Sequence, residues 1–277
     1  MADKSKIEWT DATWNPVIGC SKVSPGCAHC YAEALTMRFA NTWKVPGLPW
    51  TPGNATQNVR LRPERLEQPL RWGLSRMVFV NSMSDLFHDV VPDEYIAKVF
   101  AVMAVASRHV FQVLTKRPER MATLLAEDAW RAEVEAAIAA LGSPVDAQWP
   151  LPNVWLGTSI ENRRFAFRAD LLRQTPATIR FVSAEPLLGP VAGALDLTSI
   201  DWLIVGGESG SRHRRMDLEW VRDLRQSAKA ARAAFFFKQW GGRTSKANGR
   251  ELDGRTWDEL PKSHPRSGAE GALRLTA

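Results

Sequence analysis

Cysteine is scarce and confined in this chain: Cys20, Cys27 and Cys30 are its three cysteines among 277 residues, and all lie in GCSKVSPGCAHCYAE (19–33). An odd number of clustered thiols argues against a disulfide framework and for metal binding or catalysis in a reducing compartment. No stretch approaches the roughly eighteen apolar residues of a membrane span. The opening MADKSKIEWTDATW also lacks the apolar core of a secretory leader. A cytoplasmic protein without membrane contact is expected. Nor is there an internal repeat beyond strand and helix alternation, or a composition break that marks a linker, so residues 1–277 read as a single domain.

What is present is the balance of a globular protein, with 45% hydrophobic and 24% charged residues, enough to bury a sizeable core. Thirty-six basic residues against 30 acidic give a net charge of +6, an excess that suits a polyanionic partner and that many enzymes share. The excess is uneven: Arg60, Arg62, Arg65 and Arg71 punctuate one segment, and Arg212, Arg214 and Arg215 sit together in SGSRHRRMD.

Short apolar, β-branched or aromatic runs recur at 77–82, 109–115, 153–159, 179–184, 201–206 and 234–238, and TWNPVIG before Cys20 offers a further strand. Between them lie PDEYIAKVFAVMAVAS, PERMATLLAEDAWRAEVEAAIAAL, ENRRFAFRADLLRQ and DLEWVRDLRQSAKAARA, each with apolar residues at three- and four-residue spacing, which read as helices that bury one face. Strands alternating with helices imply parallel pairing. The runs end in NSMSDLFH, TKRP, TSIEN, SAEPLLGP, GGESG and KQWGG. Each strand therefore delivers polar groups to one end, the pattern of a barrel whose site is built from βα-loops. The expected fold is α/β, a partial or complete (β/α) TIM-like barrel of about six to eight parallel strands. The Pro-, Gly- and Trp-rich stretch at about 40–72 reads as an inserted cap, and residues 241–277 as a C-terminal extension.

Cys27 and Cys30 form C-x2-C, and Cys20 precedes Cys27 across SKVSPG. Three readings fit. A structural zinc site takes four protein ligands, and His29 is adjacent to Cys30, so a distant His88 or His213 would have to complete it. Three independent or redox thiols are a second reading. A [4Fe–4S] cluster is the third: such clusters ordinarily take four cysteines, so three leave one iron open to a small molecule.

The strings WTDATWNPVIGCSKVSPGCAHCYAE, VNSMSDLFHDVVP, VLTKRPERM, VWLGTSIEN, VSAEPLLGPV, WLIVGGESG and FFFKQWG together resemble radical S-adenosylmethionine (SAM) enzymes, and within them a phage-associated three-cysteine-motif family. The resemblance runs over about residues 7–242. It implies a barrel of radical SAM type in which Cys20, Cys27 and Cys30 hold a [4Fe–4S] cluster and SAM chelates the open iron. It also implies an external one-electron reductant. The first cysteine spacing is longer than the C-x3-C-x2-C of the common loop. The residue before the last cysteine, usually aromatic and near adenine, is here His29. By the same resemblance Asp85, with Ser82 and Ser84 after the second strand, meets the methionine amino group. Ser159 and Glu161 follow a strand where ribose contacts are usual. Glu185 joins the cofactor contacts, and Lys116, Glu208 and Lys238 are the catalytic candidates.

For the substrate, the two arginine groups with Trp43, Trp50 and Trp72 offer cations for phosphates and flat surfaces for bases. Modification or repair of a nucleic-acid base or nucleotide is the expectation. The alternative is a zinc-stabilised or iron–sulfur nucleic-acid-binding protein without SAM turnover. The carboxylates Asp85, Glu161, Glu185 and Glu208 speak against that alternative, because they repel phosphate.

Overall fold

The computed structural model describes residues 5–144 and 146–262. Its frame is a seven-stranded, wholly parallel sheet that curls into a half-barrel, in the order β1 (Ala12–Trp14), β4 (Met77–Val80), β5 (Val110–Thr115), β6 (Val154–Ser159), β7 (Ile179–Ala184), β8 (Trp202–Gly206), β9 (Ala234–Gln239). A separate antiparallel ribbon joins β2 (Val17–Ile18) to β3 (Arg60–Leu61). The expected strands are all present, with one refinement. TWNPVIG does not form one strand, because the chain leaves the sheet after Trp14 and its second half pairs in the ribbon.

Strand side chains alternate between two cores, as the two-residue period of a pleated strand requires. Val78, Val80, Phe111, Val113, Leu156, Val182, Leu203, Val205, Phe235 and Phe237 belong to the larger core under the helices. Their neighbours Phe79, Trp155, Phe181, Trp202, Ile204 and Phe236 form a second, aromatic cluster with Trp9 inside the curl. Because both faces are covered, the strands read as nearly unbroken apolar runs.

The outer layer consists of α4 (Asp93–Val105), α5 (Pro118–Ala126), α6 (Asp128–Ala140), α7 (Arg168–Gln174) and α8 (Leu218–Ala231). α4 is buried on nearly every side, and it packs on α6. α8 is amphipathic: Val221, Leu224 and Ala228 are buried at helical spacing, and Asp217 caps its N-terminus by accepting from the Glu219 amide at 2.8 Å. Two helical expectations are corrected. Residues 118–140 form two helices rather than one, broken where Glu127 turns extended between α5 and α6. ENRRFAF makes only a 3-10 turn before α7 begins at Arg168. Between β7 and β8 the crossover carries a 3-10 turn at Ala192–Ala194 and no α-helix.

Short helices α1 (Tyr31–Arg38), α2 (Ala40–Trp43) and α3 (Ala55–Asn58) lie between β2 and β3. Among the described residues no helix is long and apolar enough to cross a membrane.

Candidate functional site

The half-barrel opens at the C-terminal ends of its strands onto a cavity of about 640 Å³, a size typical of small-molecule sites. All three cysteines line it. The chain reaches that position through Gly19, whose φ is +84° and where a Cβ would lie 2.0 Å from the Asn58 carbonyl oxygen. Only glycine fits such a close approach with positive φ. Cys27 ends the 3-10 turn Pro25–Cys27, and Cys30 stands at the N-terminus of α1. Gly26, just before Cys27, passes so near Glu161 that a Cβ would lie 2.6 Å from its Oε1.

Around the thiols the strand ends form a ring of ion pairs. The Lys116 ammonium lies 3.1 Å from Glu161, and Arg168 donates to the other Glu161 oxygen at 3.2 Å. Ser24 of the cysteine loop donates to Glu161 at 2.5 Å. Lys238 pairs with Glu185 at 2.9 Å, and Ser183 donates to the second Glu185 oxygen at 3.1 Å. Glu208 accepts from Arg214 Nε at 2.9 Å and from the Arg214 amide at 2.8 Å, and it meets His29 Nδ1 at 3.2 Å. Burial alone would raise the Glu208 carboxyl, but the hydrogen bonds from Arg214 and His29 hold it down at about 2. Arg214 also donates to the Pro25 carbonyl at 3.0 Å, which ties the loop after β8 to the cysteine loop.

Arg117 connects this ring to the sulfurs. Its Nη1 donates to Cys20 Sγ at 3.6 Å and to Asp85 at 3.2 Å, and its Nη2 donates to the Ser21 carbonyl and hydroxyl at 3.2 and 3.1 Å. Asp85 accepts further from the Thr115 hydroxyl and the Lys116 and Phe87 amides, at 2.7, 3.0 and 3.1 Å. A carboxylate has about four lone-pair sites, so Asp85 has none left for the amino-group contact expected of it. His88 accepts from the Val90 amide through Nδ1, so its Nε2 is the donor to Ser21 Oγ at 2.8 Å. Burial and the neighbouring Arg117 push the imidazole down to about 4, which keeps it neutral.

Of the sequence-derived candidates, His29, Ser82, Asp85, Lys116, Ser159, Glu185, Glu208 and Lys238 all line the cavity with the cysteines. Glu161 does not: it is fully buried behind Lys116 and Ser24 and serves as the ring's anchor. Ser82 donates to Asn15, and its carbonyl accepts from the Tyr31 hydroxyl at 2.6 Å. Beside Gln239, which the sequence places next to Lys238, the site contains residues the sequence did not single out. Trp9, Asn81 and Gln239 are buried at the cavity wall, and Trp9 Nε1, Asn81 Nδ2 and Gln239 Oε1 have no protein partner. Arg168 and Ser24 meet at Glu161 from positions far apart in the chain, which no local pattern reveals.

Two expectations for substrate contacts are revised. Trp72 is buried edge-on to His109 and does not line the cavity, whereas Trp50, also buried, is part of the cavity wall. Arg62, Arg65 and Arg71 pair with Glu64 and Glu67.

Two of the thiols, Cys20 and Cys30, are held protonated. Burial and the Asp85 charge push Cys20 up to about 12 against the pull of Arg117, and burial raises Cys30. A coordinated metal reverses that balance, because a ligating thiol is deprotonated outright. Among the described residues no group of three or more His, Cys, Asp or Glu side chains is arranged to hold a metal ion. The donor set is three soft sulfurs spaced around one cavity, the ligand type that selects iron–sulfur clusters, zinc or copper(I).

The family model described as "Protein of unknown function (DUF5131)" matches residues 4–261. The chain belongs to this family. No curated protein and no solved structure gives a significant match. As the DUF5131 match covers almost the whole described chain, the cysteine loop, the half-barrel and the ion-pair ring all lie inside the family's bounds.

Proposed function

We propose that this protein is a radical SAM enzyme in which Cys20, Cys27 and Cys30 hold a [4Fe–4S] cluster and SAM occupies the cavity. The observation that carries the reading is the convergence of three otherwise solitary thiols on the C-terminal rim of a parallel half-barrel, facing one cavity with a polar ring. Cys20, Cys27 and Cys30 would hold such a cluster through three of its irons and would leave the fourth open. When bound and reduced by an external one-electron donor, the group would supply the electron that cleaves the SAM S–C5′ bond to methionine and a 5′-deoxyadenosyl radical, which would take a hydrogen atom from substrate.

The chain's own residues bind and orient. Glu185 uses one lone pair on each oxygen, for Lys238 and Ser183, so it retains acceptor capacity for an ammonium group. Lys116 and Lys238 each keep donors for a carboxylate. The unpartnered Asn81 amide and the Ser159 hydroxyl suit a ribose diol. His29, fixed through Nδ1 by Glu208, offers a flat ring to adenine. Arg117 donates to the Cys20 sulfur, and Asp85 positions Arg117 instead of touching the ligand. The aromatic cluster below closes the cavity floor and keeps water from the reacting centre.

The test is anaerobic reconstitution with iron and sulfide, then SAM and dithionite, with 5′-deoxyadenosine as the readout. Cluster absorption and 5′-deoxyadenosine together are expected from the native chain, and neither from Cys27→Ala. Tightly bound zinc with no cluster and no SAM cleavage would overturn the proposal.

A further inference from the structure

The loop after β8 and the loop after β9 meet at the cavity mouth. Ser209 bridges to Gly242, the Gly210 amide donates to the Gly242 carbonyl at 2.8 Å, and Gln239 holds Ser209 Oγ at 2.9 Å. Ser209 and Ser245 both line the cavity. These two stretches, 209–216 and 241–249, contain no carboxylate but carry Arg212, Arg214, Arg215, Arg243 and Lys246. Arg214 turns inward and is neutralised by Glu208. The other four are exposed and form no ion pair among the described residues.

That is unlike much of the cationic surface. Arg71, Arg120, Arg131, Arg173, Arg222 and Arg250 each have a carboxylate partner. Four unpaired cations on two interlocked loops cost self-repulsion that a bound polyanion would relieve. Across the half-barrel, where Tyr31 reaches Ser82 beyond β4, the cavity is bordered by a different surface: Val23, Tyr31 and Leu35 line it and are 42%, 52% and 36% exposed. One lip is therefore cationic and the other apolar with an aromatic ring, the pair of surfaces that a phosphodiester chain with unstacked bases needs.

We infer that the cavity mouth is a binding site for single-stranded nucleic acid, with Arg212, Arg215, Arg243 and Lys246 on the phosphates and the Val23, Tyr31 and Leu35 lip against a base. A single strand fits better than a duplex, because a base must leave its stack to enter a closed-bottomed cavity. This inference deepens the proposed function by naming the substrate class, yet binding does not need the cluster.

The test is fluorescence anisotropy with labelled single-stranded DNA, single-stranded RNA and duplex DNA of one sequence, over a salt series, using the full chain. At least one single strand is expected to bind more tightly than the duplex. The Arg212→Ala/Arg215→Ala/Arg243→Ala/Lys246→Ala variant is expected to lose at least about tenfold in affinity. Its slope of log K on log salt is expected to shrink by about 3, at ~0.7 per lost phosphate contact. The Lys98→Ala/Lys229→Ala variant on the outer helices is expected to bind as the native chain does. No binding by the native chain, tighter binding of the duplex, an unchanged slope in the lip variant, or a comparable loss in the outer-helix variant would overturn the inference. If cluster and 5′-deoxyadenosine form while no strand binds, only this inference falls. If strands bind through the lip but no cluster forms, the enzyme reading falls and the lip stands.

Discussion

The inside of the half-barrel has two levels that solve opposite problems. At the lower level, Trp202 lies at 5.8 to 6.2 Å ring-centroid distances from Phe181, Trp155, Phe236 and Trp9, and the cluster is buried and apolar. At the upper level, the same strands end in Lys116, Glu185 and Lys238, with Glu161 and Glu208 just beyond, and nearly every charge has a partner across the rim. The lower level gains stability from burial and has no chemistry. The upper level holds charged groups in place, and a few donors and acceptors stay uncommitted. The contrast shows where stability and function separate within one sheet.

The comparison can be broken first at its base. Trp202→Ala removes the hub of the aromatic cluster and frees the Glu259 carbonyl that its Nε1 bonds at 2.9 Å; a loss of about 3–5 kcal/mol in chemical denaturation is expected. The rim comes next. Glu161→Gln leaves the Arg168 and Lys116 charges short of a counter-ion and should cost about 3 kcal/mol. It should also loosen the cysteine loop through Ser24, seen as faster thiol labelling of Cys27.

Acid should separate the two levels further. Glu208 is depressed to about 2, so the stability it contributes is complete above its ordinary 4.5 and is lost as pH falls from there towards 2. His88 is depressed from 6.5 to about 4, so the unfolded chain binds its proton first and stability drops as pH falls through that window. His88→Gln should flatten the stability profile between those two values. The smallest effect belongs to pairs remote from both levels: Arg131→Ala on α6, beside the exposed Asp128, should change stability by no more than about 0.5 kcal/mol.

The two levels were not equally legible in the sequence. The sheet was readable because buried parallel strands are unbroken apolar runs, as in MVFV and WLIVG, and the polar residue after each run marked the rim. The interruption at Glu127 and the late start of the helix in ENRRFAFRADLLRQ, at Arg168, were not, since both depend on packing rather than on local propensity. At the rim, residue types were visible but their partners were not. Asp85 reads as a free ligand until Thr115, Lys116 and Arg117 are seen to occupy it. The arginines at 62, 65 and 71 look like a phosphate surface until Glu64 and Glu67 are set beside them. Pairings such as Ser24 with Glu161 close over 137 residues of chain, and only the fold supplies them.

The central claim is that the three thiols hold a cluster with one iron open to SAM. It is tested most directly by electron paramagnetic resonance of the anaerobically reconstituted and reduced protein, with and without SAM. The account predicts a reduced [4Fe–4S] signal whose g-values shift when SAM is added. A signal indifferent to SAM, or no iron–sulfur signal from a chain that has instead taken up zinc, would contradict it.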